Sequence, residues 1–203
     1  MPEWFFRGGI AMWPLLVCSI AGVAIILERV WALRRGSVIS SALVAAIDRQ
    51  PLKREQLEAL RLLSESDTTM LGQLIRAVFA HGTLPKTENV EAMQAIARQV
   101  VGRMERGLTT LSLIAELGPL LGLLGTVIGM VKLFQDVAQK GLGDPAMISR
   151  GIYEALTATM TGLGIAIPAL IAYMYLRRRI EVLVLEMERN TNEVLTRLYR
   201  TSP

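Results

Sequence analysis

The sequence has a single cysteine, Cys18, and a single histidine, His81. One thiol closes no internal disulfide, and Cys18, inside an apolar run, reads as a small buried hydrophobe. His81 has no second histidine or cysteine near it, which excludes the usual zinc spacings; beside Gly82 it reads as a histidine closing a helix. There is no Walker motif and no GxSxG, so neither a nucleotide site nor a hydrolase nucleophile is expected. Period-two alternation is missing, and with it any expectation of strands. Aromatic residues make up only 5% of the chain. No basic patch interleaved with them accompanies the pI of about 9.6, so the charge does not point to nucleic acid.

What the chain does have is 52% hydrophobic residues and a mean hydropathy of +0.40. Three apolar runs, 10–27, 108–131 and 152–176, each approach or exceed the roughly 20 residues that cross a bilayer as a helix. The 136 residues outside them fall in separate stretches, the longest being the 80 residues of 28–107, too few for a large catalytic domain, so no enzyme is expected. The expected fold is an all-α membrane protein with three transmembrane helices, two of them very long and extending into the cytoplasm, and a small helical cytoplasmic domain. Basic residues cluster beside the ends of the runs: Arg29, Arg34 and Arg35; Arg103 and Arg106; Arg177, Arg178 and Arg179. By the positive-inside rule those ends are cytoplasmic, which leaves the N-terminus periplasmic and the C-terminus cytoplasmic in a bacterial inner membrane. Trp4, Phe5, Phe6 and Trp13 suit one interface and Trp31 the other. The first run ends in ERVWALRR rather than a small-residue cleavage site, so it reads as a retained span. The resulting division is an external segment 1–9, a first span 10–33, a cytoplasmic helical domain 34–107, a second span 108–138, an external loop 139–149, a third span 150–176 and a cytoplasmic helix 177–203.

The cytoplasmic domain reads as helices over 38–49, 54–63 and 68–80, broken near Asp48 and Pro51, at 64–67, and at Gly82 and Pro85. Leu43, Ala46 and Ile47, then Leu71, Leu74, Ile75 and Val78, keep helical spacing and belong to a core. From Thr87 the apolar positions Val90, Met93, Ala97, Val100 and Met104 lead into the second run with no evident breaker, which predicts one helix over 87–137. After the third run, Ile180, Leu183, Val184, Met187, Val194 and Leu198 continue a stripe to the C-terminus. Gly141 and Gly143 end one long helix, and Asp144 with Pro145 starts the next.

Within the second run, GPLLGLLGTVIGM sets Gly118, Gly122, Gly125 and Gly129 on one helical face, where bare backbone lets a neighbouring helix approach. An antiparallel hairpin puts Thr126 and Thr159 at similar depths, about 9 to 14 Å below the outer charges. Glu154 near the outer surface and Glu116 toward the cytoplasmic end of the second span are ionisable groups in apolar runs, functional candidates by default. No aspartate lies within an apolar run, Asp136 and Asp144 standing at the outer edge, so a deep proton-carrying carboxylate is looked for on a partner.

Three stretches carry a resemblance: MWPLLVCSIAGVAIILER, ELGPLLGLLGTVIGM and EALTATMTGLGIAIPA. In order and in topology they resemble the MotA/TolQ/ExbB proton channel family, its ExbB and TolQ branch in particular. The resemblance implies a homopentamer in membrane lipid that encloses an ExbD-like or TolR-like single-span protein. It implies no cofactor beyond a transported cation, in the family a proton, whose passage drives a TonB-like or TolA-like protein. Thr126 and Thr159 match the family's pore threonines and Glu154 its third-helix glutamate. Two residues depart from the pattern. Thr161 stands where an apolar residue is common, about 20° from Glu154 around the helix, whereas Thr159 is about 140° away. Glu116 has no counterpart; it rings an inner mouth or pairs with an arginine such as Arg179. The competing expectation is a scaffold ring in which the glycines and threonines serve packing alone.

Overall fold

A computed structural model describes residues 9–48, 54–141 and 145–201. The expectations for Trp4, Phe5, Phe6, Pro51, Gly143 and Asp144 fall outside them. Among the described residues there is no strand; the helices are α1 (Met12–Ala32), α2 (Arg35–Val38), α3 (Ser41–Asp48), α4 (Arg54–Ser66), α5 (Met70–Ala80), α6 (Lys86–Met104), α7 (Leu108–Lys140) and α8 (Pro145–Thr201). α1, α7 and α8 are long and apolar enough to cross a membrane. Pro14 falls in the first turn of α1, where the missing amide hydrogen has no helical partner to lose. Pro119 and Pro168 lie inside α7 and α8, each freeing a carbonyl of the preceding turn, which membrane helices tolerate when neighbours pack closely.

The expected helix over 87–137 is interrupted. α6 ends at Met104, the Glu105 amide closing back on the Val101 carbonyl, and Gly107 caps the start of α7 at φ +80°. The apolar spacing hides this break because it resumes in phase at Leu108. Glycine, lacking a Cβ, takes the left-handed conformation at little cost and so turns the chain there. A second difference lies at 38–49: the helix starts at Ser41, with Val38 and Ile39 buried before it. Ser40 explains the delay, since its hydroxyl accepts from the Leu43 amide at 3.4 Å.

The chain divides into two compact units, one of Met1–Glu28 and Gly107–Tyr175, the other of Arg29–Arg106 and Leu176–Pro203. The second has a core of Leu43, Ile47, Leu71, Ile75, Met104 and Leu183, all fully buried. Its helix ends are tied by polar groups. The Thr69 amide and hydroxyl both donate to Asp67 Oδ1, and Thr69 Oγ1 accepts from the Gly72 amide at 3.2 Å, capping α5. Burial pushes the Asp67 carboxyl up, but hydrogen bonds from Thr69 and Ser40 and the charge of Arg76 outweigh it and hold it below its ordinary 3.8. His81 closes α5, its Nδ1 lying 2.9 Å from the Ala77 carbonyl. Arg197 donates to the Ile47 carbonyl at 2.8 Å, at the end of α3.

One buried polar group was not legible in the apolar spacing. Asn89 is fully buried; its Nδ2 donates to the Val78 carbonyl at 3.0 Å and to the Tyr199 hydroxyl at 3.1 Å. Tyr199 in turn donates to the Leu84 carbonyl at 2.7 Å. The Nδ2 end so engaged fixes where three segments meet, while Oδ1 is buried with no hydrogen-bond partner among the described residues.

Candidate functional site

The first unit is built on a seam between α7 and α8. A methyl group added at Gly118 would stand 3.0 Å from the Gly162 carbonyl, one at Gly122 3.0 Å from Thr159 Cα, and one at Gly129 3.1 Å from Ala155 Cβ. At Gly125 it would collide with Ala158 Cβ and lie 3.0 Å from Ala11 of the segment leading into α1. The facing residues Ala155, Ala158, Gly162 and Ala166 form a second small-residue stripe, spaced by three, four and four, and all are buried. Backbone meets backbone, and the two helices touch closely along several turns.

Thr159 is part of this seam. Its Oγ1 donates across to the Gly122 carbonyl at 3.1 Å. Thr126 lies one turn beyond Gly122 and donates within its own helix, to the Leu123 carbonyl at 2.6 Å. From the pairing of Gly122 with Thr159 and Gly129 with Ala155, the two threonines differ in depth by about 4 Å. Helical projection sets both on the same side of the α7/α8 seam, each about 60 to 70° from its centre. α1 packs on the other side, where Ile114 touches Gly22.

Thr161 belongs to the α1 side. With Tyr153 and Thr157 it lines an open groove of about 620 Å³ that Met12, Leu16 and Ser19 of α1 complete. Thr157 donates to the Tyr153 carbonyl at 2.7 Å and Thr161 to the Thr157 carbonyl at 2.8 Å, so this ladder of hydroxyls is satisfied along its own helix. Thr161 and Thr159 therefore face different surroundings. The four-residue spacing of Tyr153, Thr157 and Thr161 was the available signal for this face, and Thr157 had no place in the sequence reading.

Glu154 also lies on the α1 side. It pairs with Lys132 of α7 at 3.2 Å, and a side chain at Gly9 would run into its carboxylate. Lys132, Asp136, Arg150 and Glu154 all line one polar pocket of about 610 Å³ at this end of the helices. The pairing was missed in the sequence because Lys132 and Glu154 meet only once the hairpin register is set.

Glu116 is exposed on the outer face of α7, and Ser112 Oγ donates to its Oε1 at 3.3 Å. It is not near the end of the apolar layer. Gly118 lies against Ala166, so Glu116 is level with residue 167 or so, halfway along the uncharged stretch 155–176 of α8. Among the described residues no group of three or more His, Cys, Asp or Glu has metal-site geometry.

A model of the MotA/TolQ/ExbB proton channel family matches residues 63–189. The chain is 33% identical over 180 residues to a protein of Methanothermobacter thermautotrophicus named as an ExbB homolog, covering 88% of this chain and 63% of that relative, less than two thirds of its length. It is 30% identical over 164 residues to biopolymer transport protein exbB1 of Vibrio cholerae, 79% of this chain and 72% of that one. Over 159 residues it is 30% identical to biopolymer transport protein ExbB of Neisseria gonorrhoeae, 76% of this chain and 68% of that one.

Proposed function

Because this chain belongs to the MotA/TolQ/ExbB proton channel family, a family of membrane transport components, we propose that it is the ring-forming subunit of an ion-driven motor. In this reading it sits in the bacterial inner membrane with its N-terminus periplasmic and its C-terminus cytoplasmic. Five copies enclose an ExbD-like or TolR-like single-span protein, and cation passage, most simply of protons, does mechanical work on a TonB-like or TolA-like partner. Thr126 and Thr159 serve as hydroxyl relays on the face of the α7/α8 seam that α1 leaves uncovered. Glu154, tied to Lys132, adjusts charge near the outer mouth.

The observation that carries this reading is the placement of two hydroxyls at nearly one depth on one open side of an otherwise small and apolar seam. Hydroxyls there can pass a hydrogen bond to a moving cation without adding a fixed charge to the membrane interior. Thr126→Val and Thr159→Val each keep side-chain shape and remove the hydroxyl. Both are expected to lower ion-dependent activity at least tenfold while the assembly keeps its native mass. Full activity in both variants would overturn the relay role.

One observation favours a second reading. The Thr159 hydroxyl is bonded to the Gly122 carbonyl of the facing helix, which is what a packing residue of a scaffold ring does. Under that reading Thr159→Val disperses the assembly instead of stalling it, and native mass measured beside activity separates the two.

A further inference from the structure

We propose that Glu116 is a cation-exchanging carboxylate at mid-membrane, supplied by this chain itself and reached from the cytoplasmic side along Ser112 and Thr109; this rests on the ion-path reading above. Two registers place it independently. Along α8, the contact of Gly118 with Ala166 and of Gly122 with Thr159 sets Glu116 beside about residue 167 of the uncharged stretch 155–176. Along α1, the contacts of Gly125 with Ala11, Gly22 with Ile114 and Gly107 with Ile25 set it beside about residue 19, the middle of the apolar run 10–27. Both put the carboxyl near the bilayer centre.

Its direction is equally definite. Glu116 lies about 160° around α7 from Gly118, so it points away from α8. Thr109, Ser112 and Glu116 fall within about 60° of one another on that face. In the same sector beyond Glu116 come Leu120, Leu123 and Val127, all exposed. The face is hydroxyl-bearing from its cytoplasmic end as far as Glu116 and apolar after it. That is a path with one open end.

The sequence also states what balances the charge. No lysine, arginine or histidine occurs in 10–27, 107–131 or 155–176. A carboxyl at this depth facing lipid is costly, and such groups face a protein interior or a water-filled cavity. With no cationic side chain of its own chain at that depth, Glu116 is neutralised by a proton or a bound monovalent cation, within the interior enclosed by copies of this chain. A proton moving inward as hydronium on the ion path passes to the carboxylate, its O–H bond to the departing water breaking, and rests there as the carboxyl O–H. It leaves, that bond breaking, to water admitted past Ser112 and Thr109, and the carboxylate is restored.

The test uses the full chain expressed with its natural partner subunits, with cytoplasmic acidification read by an internal pH dye, coupled activity measured alongside, and native mass recorded. Glu116→Gln, which keeps size and polarity but cannot exchange a proton, is expected to lower flux and coupled activity at least tenfold with the mass unchanged, and Glu116→Asp to restore a measurable part. Dicyclohexylcarbodiimide, which attacks protonated carboxyls in apolar surroundings, should modify Glu116 in the wild-type assembly and stop the flux. Coupled activity in sodium-free medium assigns the cation to the proton; its loss there and recovery with added sodium assigns it to sodium. If Glu116→Gln keeps full activity while Thr126→Val stalls, the deep carboxylate is idle and the proposal falls, though the ion path stands. If Glu116→Gln, Thr126→Val and Thr159→Val all keep full activity, the ion-path reading falls with it. If Glu116→Gln fails to assemble, the carbodiimide result decides: a Glu116 left unmodified overturns the proposal, and modification that stops flux upholds it.

Discussion

At Thr159 one hydroxyl serves a bond across the seam and stands where the ion path is proposed, whereas Thr126 spends its hydroxyl inside its own turn. The two valine variants should therefore differ in stability. Thr159→Val removes the side-chain donor that reaches the Gly122 carbonyl from the facing helix and is expected to cost about 1 kcal/mol; Thr126→Val loses only a local bond and should stay within about 0.5 kcal/mol of the parent. Unfolding in mild detergent checks both, and makes Thr126→Val the cleaner probe of conduction. Asp67 offers a prediction in pH. Its carboxyl is held below 3.8 in the folded chain, so its contribution is complete above the unfolded value and is lost as pH falls from there through the lower folded value. Asp67→Asn should remove that part of the acid destabilisation, leaving a shallower loss of stability below about pH 4 than the parent shows. An unchanged acid limb would mean that the Thr69 and Ser40 contacts do not bias its ionisation.

Among the elements, α7 and α8 meet with the least room to spare, at their small-residue seam. Gly122→Leu must push apart backbone that now lies within 3.0 to 3.4 Å of a Cβ position, and it is expected to separate α7 from α8, read as loss of the assembly's native mass or of detergent stability by several kcal/mol. Gly164→Ala, where an added methyl meets nothing within 4 Å, serves as the control and should be silent. The glycine stripe was legible in the sequence because its spacing of four, three and four is itself the helical period. Gly107 was not read as a helix break. Apolar positions on both sides of it keep one phase, and periodicity reports burial without reporting backbone conformation. Likewise the spans were visible from hydropathy, but the side on which α1 lies was not. That depends on the contacts of Ala11, Gly22 and Ile25, residues with no chemistry to mark them. The separation of Thr161 from Thr159 follows from the same missing piece.

At the scale of the whole chain, the Asn89 amide and the Tyr199 hydroxyl form a polar link between residues 110 positions apart. The burial of Asn89 could not be read locally, since an asparagine near a helix start ordinarily stays wet, and its acceptors, the Val78 carbonyl and the Tyr199 hydroxyl, lie 11 and 110 residues away. Tyr199→Phe removes one acceptor for Asn89 and the donor to Leu84, and should destabilise the chain by about 1 to 3 kcal/mol; hydrogen exchange should then speed up first at the start of α6 and the end of α8, and uniform exchange would argue against a link of this importance. The seam between α7 and α8 has a further consequence. Glycine and alanine have no rotamers to freeze, whereas each leucine or isoleucine fixed in a contact gives up about 0.5 to 1 kcal/mol of side-chain entropy. Gly118, Gly122, Gly125 and Gly129 against Ala155, Ala158, Gly162 and Ala166 therefore close with almost no such loss. A joint of this kind parts and re-forms without side chains having to change wells, so small relative motions of the two helices meet a smooth surface instead of a ratchet of interlocked knobs.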